Sequence, residues 1–256
     1  MLYTFGCSFT KYVWPTWADL LLSQVDGENW GMCGGGNKFI FESLMECIIK
    51  KNITSEDHVA IMWSTFTRED RYINGRWQGY GNVYNAEPLY DKEFLQKYWD
   101  DKGAVLNNLN IMCAAIHVLN SIGCTWKMMS MNRIASKELV DYDILSVADA
   151  EIFSDHLTYF NKNSNLIHLP LDTHNMTDPN FSLKFEKVKD HHPTPLIHGE
   201  WLCLTRPFDF IDYSKVMEDA MGAELFISGK QFPQCDYPND VYYSPSVKNK
   251  MVQCRI

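Results

Sequence analysis

The chain has 256 residues, 46% of them hydrophobic and 14% aromatic, enough apolar mass for one large globular domain with appendages. A formal net charge of -9 leaves no basic face to neutralise phosphates, which argues against a nucleic-acid partner. There is no run of about 18 apolar residues and no charged start leading into an apolar core, so neither a membrane span nor a secretory leader is expected. Eight cysteines (Cys7, Cys33, Cys47, Cys113, Cys124, Cys203, Cys235, Cys254) are scattered without CxxC spacing. They read as thiols in a reducing compartment, not as a disulfide framework or a zinc site. A cytoplasmic location is expected, and association with a virion is compatible with it. No internal repeat or low-complexity segment occurs.

Leu2 to Phe5 is a short apolar run that suits one buried parallel strand, and Gly6 breaks it. Cys7 and Ser8 follow at once, placing Ser8 beyond a strand's carboxyl end, where open α/β sheets bind ligands. A serine that merely caps the next segment explains the same residues equally well. Trp14, Trp17, Ala18, Leu21, Leu22 and Val25 have helical spacing, with Pro15 tolerated in a first turn. Glu28 to Trp30 suits a second strand. Gly31-Met-Cys-Gly-Gly-Gly-Asn37 then leads into an amphipathic helix through Phe39, Ile40, Leu44, Ile48 and Ile49. A glycine cluster there lets backbone N–H groups approach a ligand, although its spacing is no dinucleotide fingerprint.

Asp57 to Trp63 suits a third, buried strand that ends in the polar loop Ser64-Thr-Phe-Thr-Arg68. From Glu69 to Gly103 the periodicity breaks, and Trp77, Tyr80, Tyr84, Tyr90, Tyr98 and Trp99 are interleaved with Gly and Asn. This is expected to be an insertion (about 69–103) over the site, a lid or a sugar-stacking wall, with many of its rings serving packing. Ala104 to Ile122 is helical, with Gly123 ending it, and Thr125 to Met131 is a fourth strand. Strand, helix and strand at these spacings predict a doubly wound, mostly parallel sheet in a three-layer α/β/α fold of flavodoxin type.

Asp172, His174 and Asp178 match no metal-ligand spacing, and His156 and His168 stand alone, so surface polar groups are the expected reading. In Lys189-Asp-His-His-Pro-Thr-Pro-Leu-Ile-His-Gly-Glu-Trp201, prolines stiffen a loop ahead of a helix through Leu196, Ile197, Trp201 and Leu202. That loop offers a carboxylate and an imidazole, which a serine without an activating neighbour would need. By itself it reads equally as a proline-started helix with Asp190 near the cap. From Asp212 to Ile256 the chain is aromatic and turn-rich, more like an arm or cover than a helix. The expected division is a main body over 1–212 and a packed extension over 213–256.

Taken together, these blocks resemble the SGNH (GDSL-like) hydrolases, especially short variants from viral and bacterial genomes. Gly6-Cys-Ser-Phe-Thr10 resembles the first block, with Ser8 in the nucleophile's place. Asn29-Trp-Gly31-Met-Cys-Gly34 resembles the second, whose glycine N–H serves the oxyanion hole, and Gly34 fits that role best. Asp190-His-His192-Pro193 resembles the last, in which the aspartate orients the histidine that activates the serine. The third block, Gly-x-Asn-Asp, is absent, and Trp63-Ser-Thr-Phe-Thr-Arg68 stands in its place, leaving Ser64, Arg68 or Asn37 to supply the missing donor. One residue separates Asp190 from His192 where the family has two. His191 is therefore an alternative base, and Pro193 favours His192.

The resemblance implies a serine esterase with a Ser8-His192-Asp190 triad and an oxyanion hole drawn from Ser8, Gly34, Ser64 and Asn37. Trp63 and Arg68 would lie at a small-molecule or glycan ester, and no cofactor, metal, nucleic acid or membrane is implied. The aromatic insertion favours an acetyl-like group on carbohydrate over a long lipid chain. Transfer of the acyl group to a sugar is a variant of the same chemistry. The competing expectation is the same fold kept as a catalytically weak or inactive module for glycan binding or assembly. Cys7 beside Ser8 invites a thiol nucleophile, but the strand pleat would turn its side chain away.

Overall fold

A computed structural model describes residues 1–84, 90–131, 154–164, 167–168 and 192–228. In chain order the elements are β1 (Leu2–Phe5), α1 (Trp17–Leu22), β2 (Gly27–Asn29), α2 (Asn37–Lys51) and β3 (His58–Trp63). There follow β4 (Arg68–Ile73), β5 (Arg76–Asn82), α3 (Lys92–Tyr98), α4 (Asp101–Ile122) and β6 (Thr125–Ser130). The described part ends with α5 (Ser154–Ser164), β7 (Ile167–His168), α6 (Pro195–Thr205) and α7 (Tyr213–Ser228).

Five strands form one parallel sheet in the order β2-β1-β3-β6-β7. Counting only its own strands, that is the 2-1-3-4-5 order of doubly wound folds, whose ligand crevice opens between the first and third strands. Period-two alternation splits the side chains between two faces. Tyr3, Phe5, Val59, Ile61, Trp63 and Met128 enter a core closed by Phe39, Ile40 and Leu44 of α2 and Val105, Leu109, Met112 and Ile116 of α4. Leu2, Ala60, Met62 and Met129 enter a second core closed by α1, α6 and α7. The fold is therefore the expected three-layer α/β/α. By length and composition α4 could reach across a bilayer; here one side of it is buried against the sheet.

Several elements depart from expectation. The first helix spans only Trp17–Leu22, because Thr16 takes the extended N-cap conformation and leaves Trp14 and Pro15 in the preceding loop. The tail expected to be an arm begins as the helix α7, since Tyr213, Val216 and Ala220 form a stripe buried in the second core. Gly199 of α6 makes room for it, as a Cβ there would lie 2.5 Å from the Ala220 Cβ. The described start of the tail, Tyr213–Ser228, thus packs on the body as a helix. The insertion is ordered at its base as the β4–β5 hairpin, turned by Asn74 (φ 54°) and Gly75 (φ +75°), an Asn-Gly pair suited to tight hairpins. Its aromatic residues pack in part: Val83 and Tyr90 are buried among Tyr80, Phe94 and Trp99, whereas Tyr84 and Tyr98 are exposed.

Candidate active site

Three chain reversals at the carboxyl ends of β1, β2 and β3 meet around the switch point. After β1 the chain turns sharply, with the Thr10 and Lys11 amides both donating to the Cys7 carbonyl, at 2.9 and 3.0 Å. Gly6 permits the turn: a Cβ there would sit 1.9 Å from Thr10 Oγ1, which folds back over it. Ser8 lies at the head of this turn and is 2% exposed. Cys7 is spent on packing, its thiol donating to Met131 Sδ at 3.2 Å in the second core.

The glycine loop after β2 is tied to this turn. The Met32 amide donates to the Gly6 carbonyl at 3.0 Å, and the Gly31 amide to Asn29 Oδ1 at 3.0 Å. Asn29 Nδ2 reaches the Thr10 carbonyl at 2.7 Å and Asp19 Oδ1 at 3.2 Å. Gly34 has φ +75°, a region open to glycine.

Beyond β3, the Ser64 amide donates to Asn37 Oδ1 at 2.7 Å. Asn37 Nδ2 in turn donates to the Ser64 carbonyl at 3.1 Å and to Asn108 Oδ1 at 2.6 Å. A carboxamide has two N–H groups, so both of Asn37's are committed to holding α2, β3 and α4 together. The Ser64 hydroxyl is buried without a hydrogen-bond partner among the described residues. Phe5 of β1 pairs with Ile61 of β3, so Ser8 and Ser64 follow neighbouring strands of the sheet. Trp63, expected at the substrate, is fully buried in the first core instead, because the alternation of β3 turns it there with Val59 and Ile61. Arg68 Nη1 donates to the Gly35 carbonyl at 2.9 Å, and its Nε is buried without a partner among the described residues.

The loop before α6 closes the arrangement. The His192 ring stacks on Tyr12, with centroids 3.9 Å apart, and meets Phe9 edge-on at 5.6 Å, so it lies against the turn that carries Ser8. Trp14 Nε1 donates to the Pro193 carbonyl at 2.8 Å across 179 residues of sequence, fastening the two loops. The N-cap of α6 is Thr194, with Pro195 in the first turn. Asp190 and His191 lie outside the described residues, as do Asp172, His174 and Asp178. His198, one turn into α6, is fully buried with Nδ1 unpartnered among the described residues. Burial first, then the charge of His192, lowers its pKa to about 3, so it stays neutral. Among the described residues no three His, Cys, Asp or Glu side chains gather as a metal site.

Sequence reading missed two buried carboxyls. Asp19 had a usable signal, since Thr16-x-x-Asp19 has capping-box spacing, and the Thr16 amide does donate to Asp19 Oδ2 at 2.9 Å. Asp70 had none. Burial raises the pKa of Asp19 to about 6, against the hydrogen bonds from Thr16 and Asn29 and the charge of Lys11. The folded chain then keeps a proton that the unfolded chain releases near 3.8, so stability falls as pH rises from about 4 to 6. The loss approaches roughly 3 kcal/mol, since each tenfold difference in proton affinity between the folded and unfolded chain is worth about 1.4 kcal/mol. In urea titrations across that window, Asp19→Asn is expected to flatten this part of the curve. An unchanged slope would mean that the carboxyl does not hold its proton.

These features define a doubly wound parallel α/β protein with a serine-bearing turn at the sheet's switch point. No protein-family model matches the chain, and no curated protein matches it. Among solved structures it is similar to a catalytic mutant of Axe2, an acetylxylan esterase from Geobacillus stearothermophilus, at 13% identity over 84% of this chain and 93% of that one, with a TM-score of 0.41. It is also similar to LAE5, an α/β hydrolase enzyme from the metagenome of Lake Arreo, Spain, at 11% identity over 80% and 94%, with a TM-score of 0.42. Scores this low carry no argument; the fold is read from the sheet order and the helices that cover it.

Proposed function

We propose that the chain is a serine esterase of SGNH type acting on small acyl esters. Ser8 is the nucleophile, His192 the general base and Asp190 the carboxylate that orients the imidazole. The observation that carries this reading is the packing of His192 against Phe9 and Tyr12, which follow Ser8 after the carboxyl end of β1. His192 takes the Ser8 proton as the oxygen attacks the ester carbonyl. It then returns the proton to the leaving alcohol, and water repeats the sequence on the acyl-enzyme. The oxyanion is held by the backbone N–H groups of Ser8 and Gly34 and by the Ser64 hydroxyl. Ser64 is favoured as third donor because Asn37 has no N–H left to give and the Ser64 hydroxyl is buried without a hydrogen-bond partner among the described residues. Oriented donors of this kind are worth about 10²–10³ in rate each. The aromatic hairpin suits an acetyl-like ester on a carbohydrate, with Tyr72 half exposed beside Trp77.

The second reading, a non-catalytic module of the same fold, is favoured by the missing Gly-x-Asn-Asp block and by the full commitment of Asn37 to structure. A fluorophosphonate probe separates the two. The esterase is expected to be labelled, with the adduct mapping to Ser8 by mass spectrometry and blocked by prior acylation. Folded protein that takes no label, beside a labelled control hydrolase, would favour the module.

A further inference from the structure

The glycine loop carries backbone donors, and its three successive glycines, Gly34 to Gly36, have no side chain to fix them. Gly36, the N-cap of α2, offers no capping group. Beyond the ties of Gly31 to Asn29 and of Met32 to Gly6, the groups that hold residues 34–36 include several from the β4–β5 hairpin. Asp70 of β4 is 3% exposed; its Oδ1 accepts the Gly36 amide at 2.7 Å and its Oδ2 accepts the Phe39 amide at 2.9 Å. It therefore caps α2 from a different element, satisfying two first-turn N–H groups that would otherwise be buried unpaired. Arg68 of the same strand donates to the Gly35 carbonyl, and the Gly81 amide of β5 donates to the Gly34 carbonyl at 3.1 Å. Gly79 of β5 lies so close that a Cβ there would stand 2.8 Å from the Gly34 carbonyl carbon and 2.9 Å from the Gly35 amide nitrogen.

We propose that the β4–β5 hairpin is a fixed clamp on the glycine loop and that Asp70 is its positioning residue, setting where the Gly34 N–H points. This rests on the esterase reading above. A lid would open away from the loop, whereas this hairpin meets it at residues 34, 35, 36 and 39 through both strands. Without the Asp70 carboxylate, the Gly36 and Phe39 amides lose their acceptors and the loop is free to shift relative to Ser8. Donor geometry matters most where charge develops in the transition state, so the effect falls on kcat and spares KM.

The test measures p-nitrophenyl acetate hydrolysis and amide hydrogen exchange for wild type, Asp70→Ala and Gly79→Ala. Asp70→Ala is expected to lower kcat about 10–100-fold with KM within about threefold, because donors are displaced but not removed. Exchange should quicken at Gly36 and Phe39 while the β1 and β3 amides stay protected. Gly79→Ala, which crowds the loop without touching the cap of α2, is expected to lower kcat too, and it serves if Asp70→Ala does not fold. A folded Asp70→Ala or Gly79→Ala protein with wild-type kcat would overturn the clamp. If wild type itself shows no hydrolysis and takes no fluorophosphonate, the esterase reading fails instead.

Discussion

Replacing Ser8 with alanine is expected to reduce p-nitrophenyl acetate turnover by at least about 10⁴-fold, leaving only what binding and the oxyanion donors supply. The size of the effect follows from the chemistry. In the proposed mechanism, removing the hydroxyl would leave His192 no nucleophile to activate, with no water held in its place. Stability should change little, because the serine sits at a turn fixed by backbone bonds from Thr10 and Lys11 to Cys7 and by Met32 to Gly6. Cys7 cannot take over, since its thiol is packed against Met131. The comparison is made on protein verified by circular dichroism, with pH held at about 7–8, above the ordinary histidine pKa. Equal turnover by wild type and Ser8→Ala would remove Ser8 from the reaction and leave the non-catalytic module as the better description.

The second large effect is expected at Gly34. Its φ of +75° costs a residue with a Cβ about 1–2 kcal/mol. The added Cβ would also lie 2.4 Å from the Gly79 carbonyl oxygen, a backbone atom that moves only if the hairpin moves. Forced repacking of that kind typically costs about 1–3 kcal/mol, so Gly34→Ala should lose about 2–5 kcal/mol in all, a large fraction of a domain's stability. Gly75 supplies the control, with the same φ of +75° and nothing within 4 Å of a built Cβ. Gly75→Ala should therefore show the conformational cost alone and keep its esterase activity, while Gly34→Ala loses both stability and kcat. Urea midpoints and kcat for the pair decide it. Equal midpoints would mean that the Gly34–Gly79 contact is not tight.

The two glycines illustrate what could be read from the chain beforehand. A glycine cluster after a strand marked a close backbone approach, but nothing in positions 31–37 named the hairpin as what approaches. Asn74-Gly75 carried a hairpin signal that the crowd of neighbouring aromatics obscured. The helix α7 was missed because its apolar residues are spaced for burial under α6, and the exposed Met221 and Leu225 blur that period. Asn37 was a reasonable donor candidate by position alone. Only its partners, Ser64 and Asn108, show that its hydrogens are spent.

Local rules fixed the sheet. Apolar runs at 2–5, 58–63 and 125–130, separated by helical periods and by the breaks at Gly6, the polar loop after Trp63 and Gly123, admit few arrangements other than a doubly wound one, because both faces of each strand must be covered. The order of the blocks suggested Ser8 and His192 as candidate partners. What the sequence could not decide was every relation between segments far apart along the chain: His192 against Phe9 and Tyr12, Trp14 on Pro193, Asp70 beneath the start of α2. Such contacts have no period and no spacing. They exist only once the layers have packed, and packing alone spent both Asn37 N–H groups and left the Ser64 hydroxyl without a partner among the described residues.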